Sequence, residues 1–274
     1  MLTEEGSNKM ERTNELDAKT TTINFDFPRG YLLEDTEGVH VLNKAQMREM
    51  TGYEEDILAD DKSSITQRMH DVVGNCLISL SDEKGHSIVD PNVLKTIPLN
   101  LLMSDIVVAT FRLREVTVGS EYRQKVACPN CIDDDDKPNA WTAILNLSDF
   151  KSIPASGDLT KAVREFETKR GNKITWEMLS GAGELAYENM KKSKERATAV
   201  LMARIRTING QPATKDAVKR LPMLERQEIR KEFDVEGGIE TSFDSVCKRC
   251  KQEFKTELEM GGSSFFSRLA TPEE

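Results

Sequence analysis

Two short cysteine turns constrain the fold of this chain more than any other feature of its sequence. The motif CPNC occupies residues 128–131 of the 274-residue chain, and CKRC occupies residues 247–250. Because a two-residue gap lets both sulfur atoms of one turn face the same point, the two turns together supply the four thiolates that a structural zinc ion prefers. The predicted zinc ligands are Cys128, Cys131, Cys247 and Cys250.

Two other chemistries of paired cysteines stay open from the sequence. Four thiolates also hold iron–sulfur clusters, and one CxxC pair serves thioredoxin-like proteins, usually at a helix N-terminus that lowers the thiol pKa. Here both turns follow predicted strands, and acidic residues after the first turn would raise the pKa of its thiols. A catalytic zinc is disfavoured, since four thiolates leave no open coordination position.

Four consecutive aspartates, residues 133–136, follow the first cysteine turn. A calcium-binding EF-hand needs oxygen ligands at alternate positions, a central glycine and a distal glutamate. The aspartate run has none of that spacing, so it predicts a solvated loop tip.

The composition favours protein partners over nucleic acid. The net charge is −9, and phosphate binding is driven by positive charge. No apolar run approaches the roughly 18 residues of a membrane helix, and the polar, acidic N-terminus does not resemble a signal peptide. We therefore expect no membrane contact and a cytosolic setting, in which thiols stay reduced.

One stretch, residues 191–231, is rich in bases despite the acidic total. It predicts either a solvated helix face or a docking surface for an acidic partner or nucleic acid. Its bases include Lys191, Lys192, Lys194, Arg196, Arg204, Arg206, Lys215, Lys219 and Arg220.

The chain divides into an arm and two similar units. Residues 1–26 have almost no apolar periodicity and predict a flexible arm, although the alternation at 20–27 is typical of a strand that ends at residues 28–30. Residues 27–150 and 151–274 each predict a unit of helices and β-hairpins that contains one cysteine turn. The predicted fold class is α+β, with two pseudo-repeated units joined by the zinc site.

In the first unit, helical patterns begin near Lys44 and again after an N-cap at Ser63 or Ser64. The second apolar stripe includes Cys76 and continues to Leu80, so Cys76 is predicted to be buried. His70 lies off that stripe and is predicted to be exposed. A further helix follows residues 97–99 and ends at Gly119, and strands at 121–127 and 141–147 flank the first turn.

In the second unit, a Gly/Asn turn at 169–172 predicts a hairpin between residues 162 and 178. A helix opens at residues 180–181 and has an apolar face reaching Ile205, followed by a turn at 209–212. A helix then runs from Leu221-Pro222 to Phe233. Strands at 241–246 and 253–258 flank the second cysteine turn.

The order of these signals is the same in the two units. TGYEE at 51–55 resembles SGAGE at 180–184, and each begins a helix. An apolar-Pro pair then opens another helix that carries an acidic residue, Asp105 or Glu225. A strand entering a CxxC turn closes each unit, which predicts a duplication and not a solenoid, because solenoids need several repeats.

Sequence motifs of common enzymes are absent. There is no GxxxxGK[ST], GxGxxG, HExxH or GxSxG motif, and the three histidines, His40, His70 and His86, lie near no cysteine or serine constellation in the sequence. We therefore predict a protein that is not an enzyme.

The motif order resembles one known family. TGYEE, IPLNLLMSD, GSEYRQKVACPNC and ILNL, followed by GNKITWEMLSGAGE, LPMLERQEI, VCKRCKQEF and a terminal FF, are similar to a tailed-bacteriophage baseplate protein family, the T-even type of baseplate hub assembly protein. The resemblance covers roughly residues 40–268. The N-terminal tail and residues 133–136 are not part of it.

The resemblance implies a non-enzymatic role in building the phage tail. Its expected partners are other baseplate and hub proteins, including the tape-measure protein and the tail spike complex. Its expected location is the host cytoplasm during assembly, or the baseplate of the virion tail. From the sequence, a zinc-ribbon nucleic-acid binder and a CxxC thiol oxidoreductase remain as alternatives.

Phe265 and Phe266 have two interpretations on this reading. They would either pack the C-terminus onto the second cysteine hairpin, or form an exposed aromatic anchor for a partner, since adjacent exposed aromatic residues make effective hot spots.

Overall fold

The computed structural model describes residues 20–132, 138–191, 195–260 and 265–266. Most of the predicted arm, at residues 1–19, and the aspartate run at 133–136 lie outside the described residues. Within them the chain is a mixed helix and sheet protein, in agreement with the predicted class.

The first half builds an antiparallel sheet, two helices beside it, a long helix and a hairpin. The sheet order is β1-β2-β3-β4, and β5 pairs with β6. The elements are β1 Thr22–Asp35, β2 Gly38–Arg48, α1 Gly52–Ala59, α2 Ile65–Cys76, β3 Leu77–Ser81, β4 Ser87–Ile88, α3 Pro91–Leu94, α4 Met103–Val118, β5 Glu121–Ile132 and β6 Pro138–Asn146.

The second half contains another four-stranded sheet, of order β8-β9-β10-β11, and ends in the hairpin β13–β14. Strand β7, which precedes this sheet in the chain, pairs with β12, which follows it. The elements are β7 Ser152–Ile153, β8 Val163–Glu167, β9 Lys173–Glu177, α5 Gly181–Lys191, α6 Arg196–Met202, β10 Ile205–Ile208, β11 Gln211–Pro212, α7 Lys215–Arg220, α8 Met223–Glu232, β12 Gly238–Ile239, β13 Ser242–Val246 and β14 Glu253–Glu257.

Side chains define several helix starts as predicted. The Ser64 hydroxyl accepts a hydrogen bond from the Gln67 N–H at 3.2 Å, which confirms Ser64 as an N-cap. Thr51 and Glu54 form a capping box at α1, because the Glu54 carboxylate accepts from the Thr51 N–H at 2.9 Å. Gly119 ends α4 with a φ of 95°, a conformation that favours glycine.

Several boundary predictions are wrong. Residues 44–48 continue strand β2 instead of starting a helix, and Leu80 belongs to β3, because α2 ends at Cys76. Short apolar runs fit a helix or a strand equally well, and here pairing with a neighbouring strand decides the conformation. Residues 22–26, which the arm prediction included, are part of β1, in agreement with the strand predicted at 20–27.

Strand β1 also continues past residues 28–30, where the sequence predicted its end. The register with β2 shifts between Asp26 and Tyr31, so the strand passes through a bulge. Gly30 lies in this bulge with a φ of 95°, and a Cβ there would be 2.3 Å from the Leu42 carbonyl oxygen. Glycine therefore lets the bulged strand pass close to its neighbour.

Backbone hydrogen bonds join the two halves at the starts of two helices. The Met103 N–H donates to the Leu179 carbonyl, and the Gly181 N–H donates to the Leu101 carbonyl, both at 2.9 Å. This antiparallel bridge places α4 of the first half beside α5 of the second. Leu102 completes the apolar core of the second half.

His70 lies at this junction and is only 2% exposed, so the prediction of a surface position is wrong. A Cβ at Gly181 would lie 2.8 Å from the His70 ring, which shows how closely the start of α5 packs on α2. Burial lowers the pKa of His70. The sequence missed this position because the second half covers a face of α2 that has no apolar pattern.

Candidate metal centre

The cysteine turns lie on two hairpins, one from each half, that are attached to each other by side chains of strand β5. The Gln124 amide donates to the Glu257 carbonyl and accepts from the Glu259 N–H, both at 2.9 Å. The Tyr122 hydroxyl donates to the Glu259 carbonyl at 2.7 Å. Because these groups are buried or partly buried, the contacts fix one hairpin against the other.

The four predicted cysteines come together at the ends of these hairpins. The sulfur atoms of all four lie within 4.8 Å of one another. Two of the sulfur–sulfur distances are between cysteines of different halves: 3.8 Å between Cys128 and Cys250, and 3.9 Å between Cys131 and Cys247. The structure therefore places the four thiols as a single cluster.

These separations match the requirement of a metal site and not that of a disulfide. A tetrahedral ion with metal–sulfur bonds of about 2.3 Å has sulfur–sulfur separations of roughly 3.8 Å. A disulfide would need a bond of about 2.05 Å. All four cysteines are free thiols in the structure, and they fit a metal ion with four thiolate ligands.

Backbone geometry within each turn directs N–H groups at sulfur. The Asn130 N–H donates to the Cys128 sulfur, and the Cys250 N–H donates to the Cys247 sulfur, both at 3.5 Å. Lys251, directly after the second turn, has a φ of 62°. Such N–H donors stabilise thiolates, which is the charge state that binds metal.

The thiols of Cys247 and Cys131 differ in acidity. The Cys250 backbone N–H is the main cause that lowers the pKa of Cys247 to about 6. The hydrogen bond with Cys250 is the main cause that raises the pKa of Cys131 to about 12. One cysteine therefore ionises readily, and its negative charge makes ionisation of a neighbouring thiol less favourable. A bound cation would stabilise all four cysteines in the ionised form.

Two polar side chains support the cluster from outside. The Asn139 amide donates to the Cys247 sulfur at 3.4 Å, and the Asn130 amide donates to the Gln252 side chain at 2.8 Å, which links the two turns. Both bonds join the first half to the second. No sequence spacing predicted them, because they exist only once the hairpins pack together.

Two of the four cysteines of the cluster are shielded and two are near solvent. Cys128 and Cys247 are buried, Cys131 is half-buried and Cys250 is exposed. The fifth cysteine, Cys76, is buried in the first core, as predicted, and burial raises its pKa to about 12. Cys76 therefore behaves as a small apolar residue.

Phe265 and Phe266 do not form an exposed pair. They are 1% and 7% exposed and belong to the core of the first half. The Phe265 ring contacts Phe111 and Tyr122, and its carbonyl accepts from the Arg114 guanidinium at 2.8 Å. This agrees with a packing role, although the ring contacts are with the first half instead of the second hairpin.

Five bases of the 191–231 stretch form ion pairs with carboxylates of the chain. Lys215 and Lys219 both contact Glu195, and Arg206 contacts Glu177. Arg204 lies 2.8 Å from Glu236 and Arg220 lies 2.7 Å from Asp216. The side chains of residues 191–194 and 196 lie outside the described residues.

No protein-family model, curated protein or solved structure matches the chain. Among the described helices, none has the length and apolar character needed to cross a bilayer.

Proposed function

We propose that the chain is a non-enzymatic structural or assembly protein in which one zinc ion fastens its two halves. One observation carries this proposal: the four sulfur atoms lie within 4.8 Å of one another, and each half supplies two of them. Four thiolates close the coordination sphere of zinc, so the ion has no position for a substrate and serves stability.

We further propose that the two halves arose by duplication. Apart from the short strands β7 and β12 of the second half, each half runs through two strands, two helices, two strands, two helices and a cysteine hairpin. The acidic residues Asp105 and Glu225 support this equivalence, since both are fully buried third residues of their helices. Asp105 accepts from the Arg29 and Gly30 N–H groups of β1, and Glu225 accepts from Thr168 beside β8.

The proposed setting is the baseplate hub of a tailed phage, with other hub proteins, the tape-measure protein or the tail spike complex as partners. The order of motifs in the sequence supports this setting. The chain would act in the host cytoplasm during assembly, or in the baseplate of the virion tail. In infected cells, an affinity-tagged chain should co-purify with tail baseplate proteins. Recovery without any tail protein, from cells that assemble tails, would overturn this assignment.

Zinc content tests the metal part of the proposal independently of the phage setting. The purified chain should retain tightly bound zinc, and the double variant Cys128→Ser, Cys250→Ser should lose one ion per chain. A strong chelator should unfold the wild-type protein, because binding and folding are coupled. A purified protein with four reduced cysteines and no affinity for zinc would contradict the proposal.

Simple assays distinguish each of the two alternative functions from the proposed structural role. A nucleic-acid binder would retain DNA or RNA at low salt and lose it steeply as salt rises. We expect no such binding, since the chain is acidic and five bases of the 191–231 stretch already pair with carboxylates. A thiol oxidoreductase would reduce disulfides and lose that activity in Cys128→Ser; we expect no reductase activity in the zinc-loaded protein.

A further inference from the structure

A second group of metal-ligating side chains lies on the first sheet. Asp35, at the end of β1, His40, in β2, and His86, just before β4, each offer a donor atom, and these atoms lie within 4.8 Å of one another. The β1–β2 hairpin supplies Asp35 and His40, the β3–β4 turn supplies His86, and the pairing of β2 with β3 places them side by side. None of them contributes to the four-cysteine cluster.

The two imidazoles are held close together. The ring centroids of His40 and His86 are 3.7 Å apart and the rings are stacked. The His40 side chain is only 10% exposed and that of His86 is 24% exposed. Neutral imidazole is the commonest metal ligand in proteins, and partial burial reduces the conformational entropy that the rings would lose on binding.

A carboxylate outside the group orients His86. Asp82 Oδ2 lies 2.7 Å from His86 Nδ1, while Asp82 Oδ1 accepts from the Lys84 and His86 N–H groups at 2.8 and 3.0 Å. A carboxylate bound to one imidazole nitrogen sets the tautomer and makes the other nitrogen a better ligand, the usual arrangement at protein zinc sites. His86 Nε2 is therefore the nitrogen available to a metal.

Asp35 is fixed in a comparable way. Its Oδ1 accepts from the Glu37 and Gly38 N–H groups at 2.7 and 3.2 Å and lies 3.0 Å from His40 Nε2. All of these bonds use one oxygen, so the structure shows no partner for Oδ2 among the described residues. A carboxylate with one fixed and one available oxygen beside two imidazoles is a typical zinc ligand set.

We propose that Asp35, His40 and His86 form a second metal site, which binds a divalent transition-metal ion such as Zn²⁺. Its two imidazoles and one carboxylate suit borderline ions such as Zn²⁺, Ni²⁺ and Cu²⁺ more than Mg²⁺ or Ca²⁺, which take oxygen ligands. Three protein ligands leave a fourth position for water. The ion would join the β1–β2 turn to the β3–β4 turn, whereas the four-cysteine ion joins the two halves.

The site can be tested with Zn²⁺ alone on the full-length chain whose cysteine site is already loaded. Calorimetric titration should show one further Zn²⁺ ion per chain. His40→Ala and His86→Ala should remove this binding, and Asp82→Asn should weaken it by about 10- to 100-fold. Lys84→Ala is the matched control, because this exposed side chain lies in the same turn and should leave the affinity unchanged.

Histidine NMR signals give a second measurement that needs no variant. The chain has three histidines, so addition of Zn²⁺ should shift the ring resonances of His40 and His86 and leave those of buried His70 unchanged. The proposal is overturned if the loaded protein takes up no further ion. It is also overturned if uptake is the same in both histidine variants, or if the His40 and His86 signals do not move.

Discussion

The sulfur atoms of Cys128 and Cys250 lie 3.8 Å apart, although the two residues are 122 positions apart in the sequence. Chain closure over such a length is entropically unfavourable. Hydrogen bonds of Gln124 and Tyr122 hold the two hairpins together beside the cluster. The packing of the two hairpins thus brings the thiols together, and a metal ion would stabilise that arrangement further.

Replacement of a ligand should affect stability far more than replacement of the remaining cysteine. Cys247→Ser should abolish tight zinc binding and lower the free energy of unfolding by several kcal/mol, on the scale of about 10 kcal/mol that zinc supplies to small domains. Cys76→Ala should keep the zinc and cost about 1–2 kcal/mol for the lost buried sulfur. Urea unfolding with zinc analysis measures both, and equal losses in the two variants would contradict the account.

Two glycines, at the starts of helices α1 and α5, should respond oppositely to alanine. A Cβ at Gly181 would lie 2.3 Å from the Pro98 carbonyl oxygen, whereas a Cβ at Gly52 would meet no atom within 4 Å. Gly181→Ala should destabilise the protein by about 1–3 kcal/mol through overpacking. Gly52→Ala should be neutral or stabilise by up to about 1 kcal/mol. Thermal unfolding of both variants tests the close packing of the start of α5 on Pro98.

The buried carboxylate of Asp105 should be essential for the bulge of β1. It accepts from the N–H groups of Arg29 at 2.9 Å and of Gly30 and Leu102 at 3.2 Å. Asp105→Ala leaves these donors without a partner and should cost about 3 kcal/mol or more. The exposed Asp71→Ala is the control and should change stability by less than about 0.5 kcal/mol. A loss below 1 kcal/mol for Asp105→Ala in urea unfolding would refute the assignment.

Phe265 should contribute to folding in proportion to its burial. Phe265→Ala removes a ring that packs on Phe111 and Tyr122 and should cost about 3–5 kcal/mol. Tyr53→Ala, at a side chain 82% exposed, should have almost no effect. If Phe265→Ala unfolds no more readily than the wild type, the ring is not part of the core and a partner-binding role regains support.

The four-cysteine cluster was predictable because CxxC spacing determines local geometry and four thiolates have few alternative uses. The hairpin at 169–172 and the helix after Leu221-Pro222 were predictable from turn and capping residues. The strands β3 and β10 were not, since their short apolar runs continue the pattern of the preceding helix.

The positions of the histidines depend on tertiary structure. His70 is buried because the second half packs over it, and His40 meets His86 only after β2 and β3 have paired. Neither contact leaves a periodic pattern in the sequence. Asn139, which donates to the Cys247 sulfur, and Gln124, which bonds the second hairpin, were missed for the same reason.

X-ray absorption at the zinc edge tests the central claim most directly. The measurement is best made on the His40→Ala variant, in which zinc should occupy the cysteine site alone. The account predicts a first shell of four sulfur atoms at about 2.3 Å. Nitrogen or oxygen in that shell, or a purified variant without zinc, would contradict it.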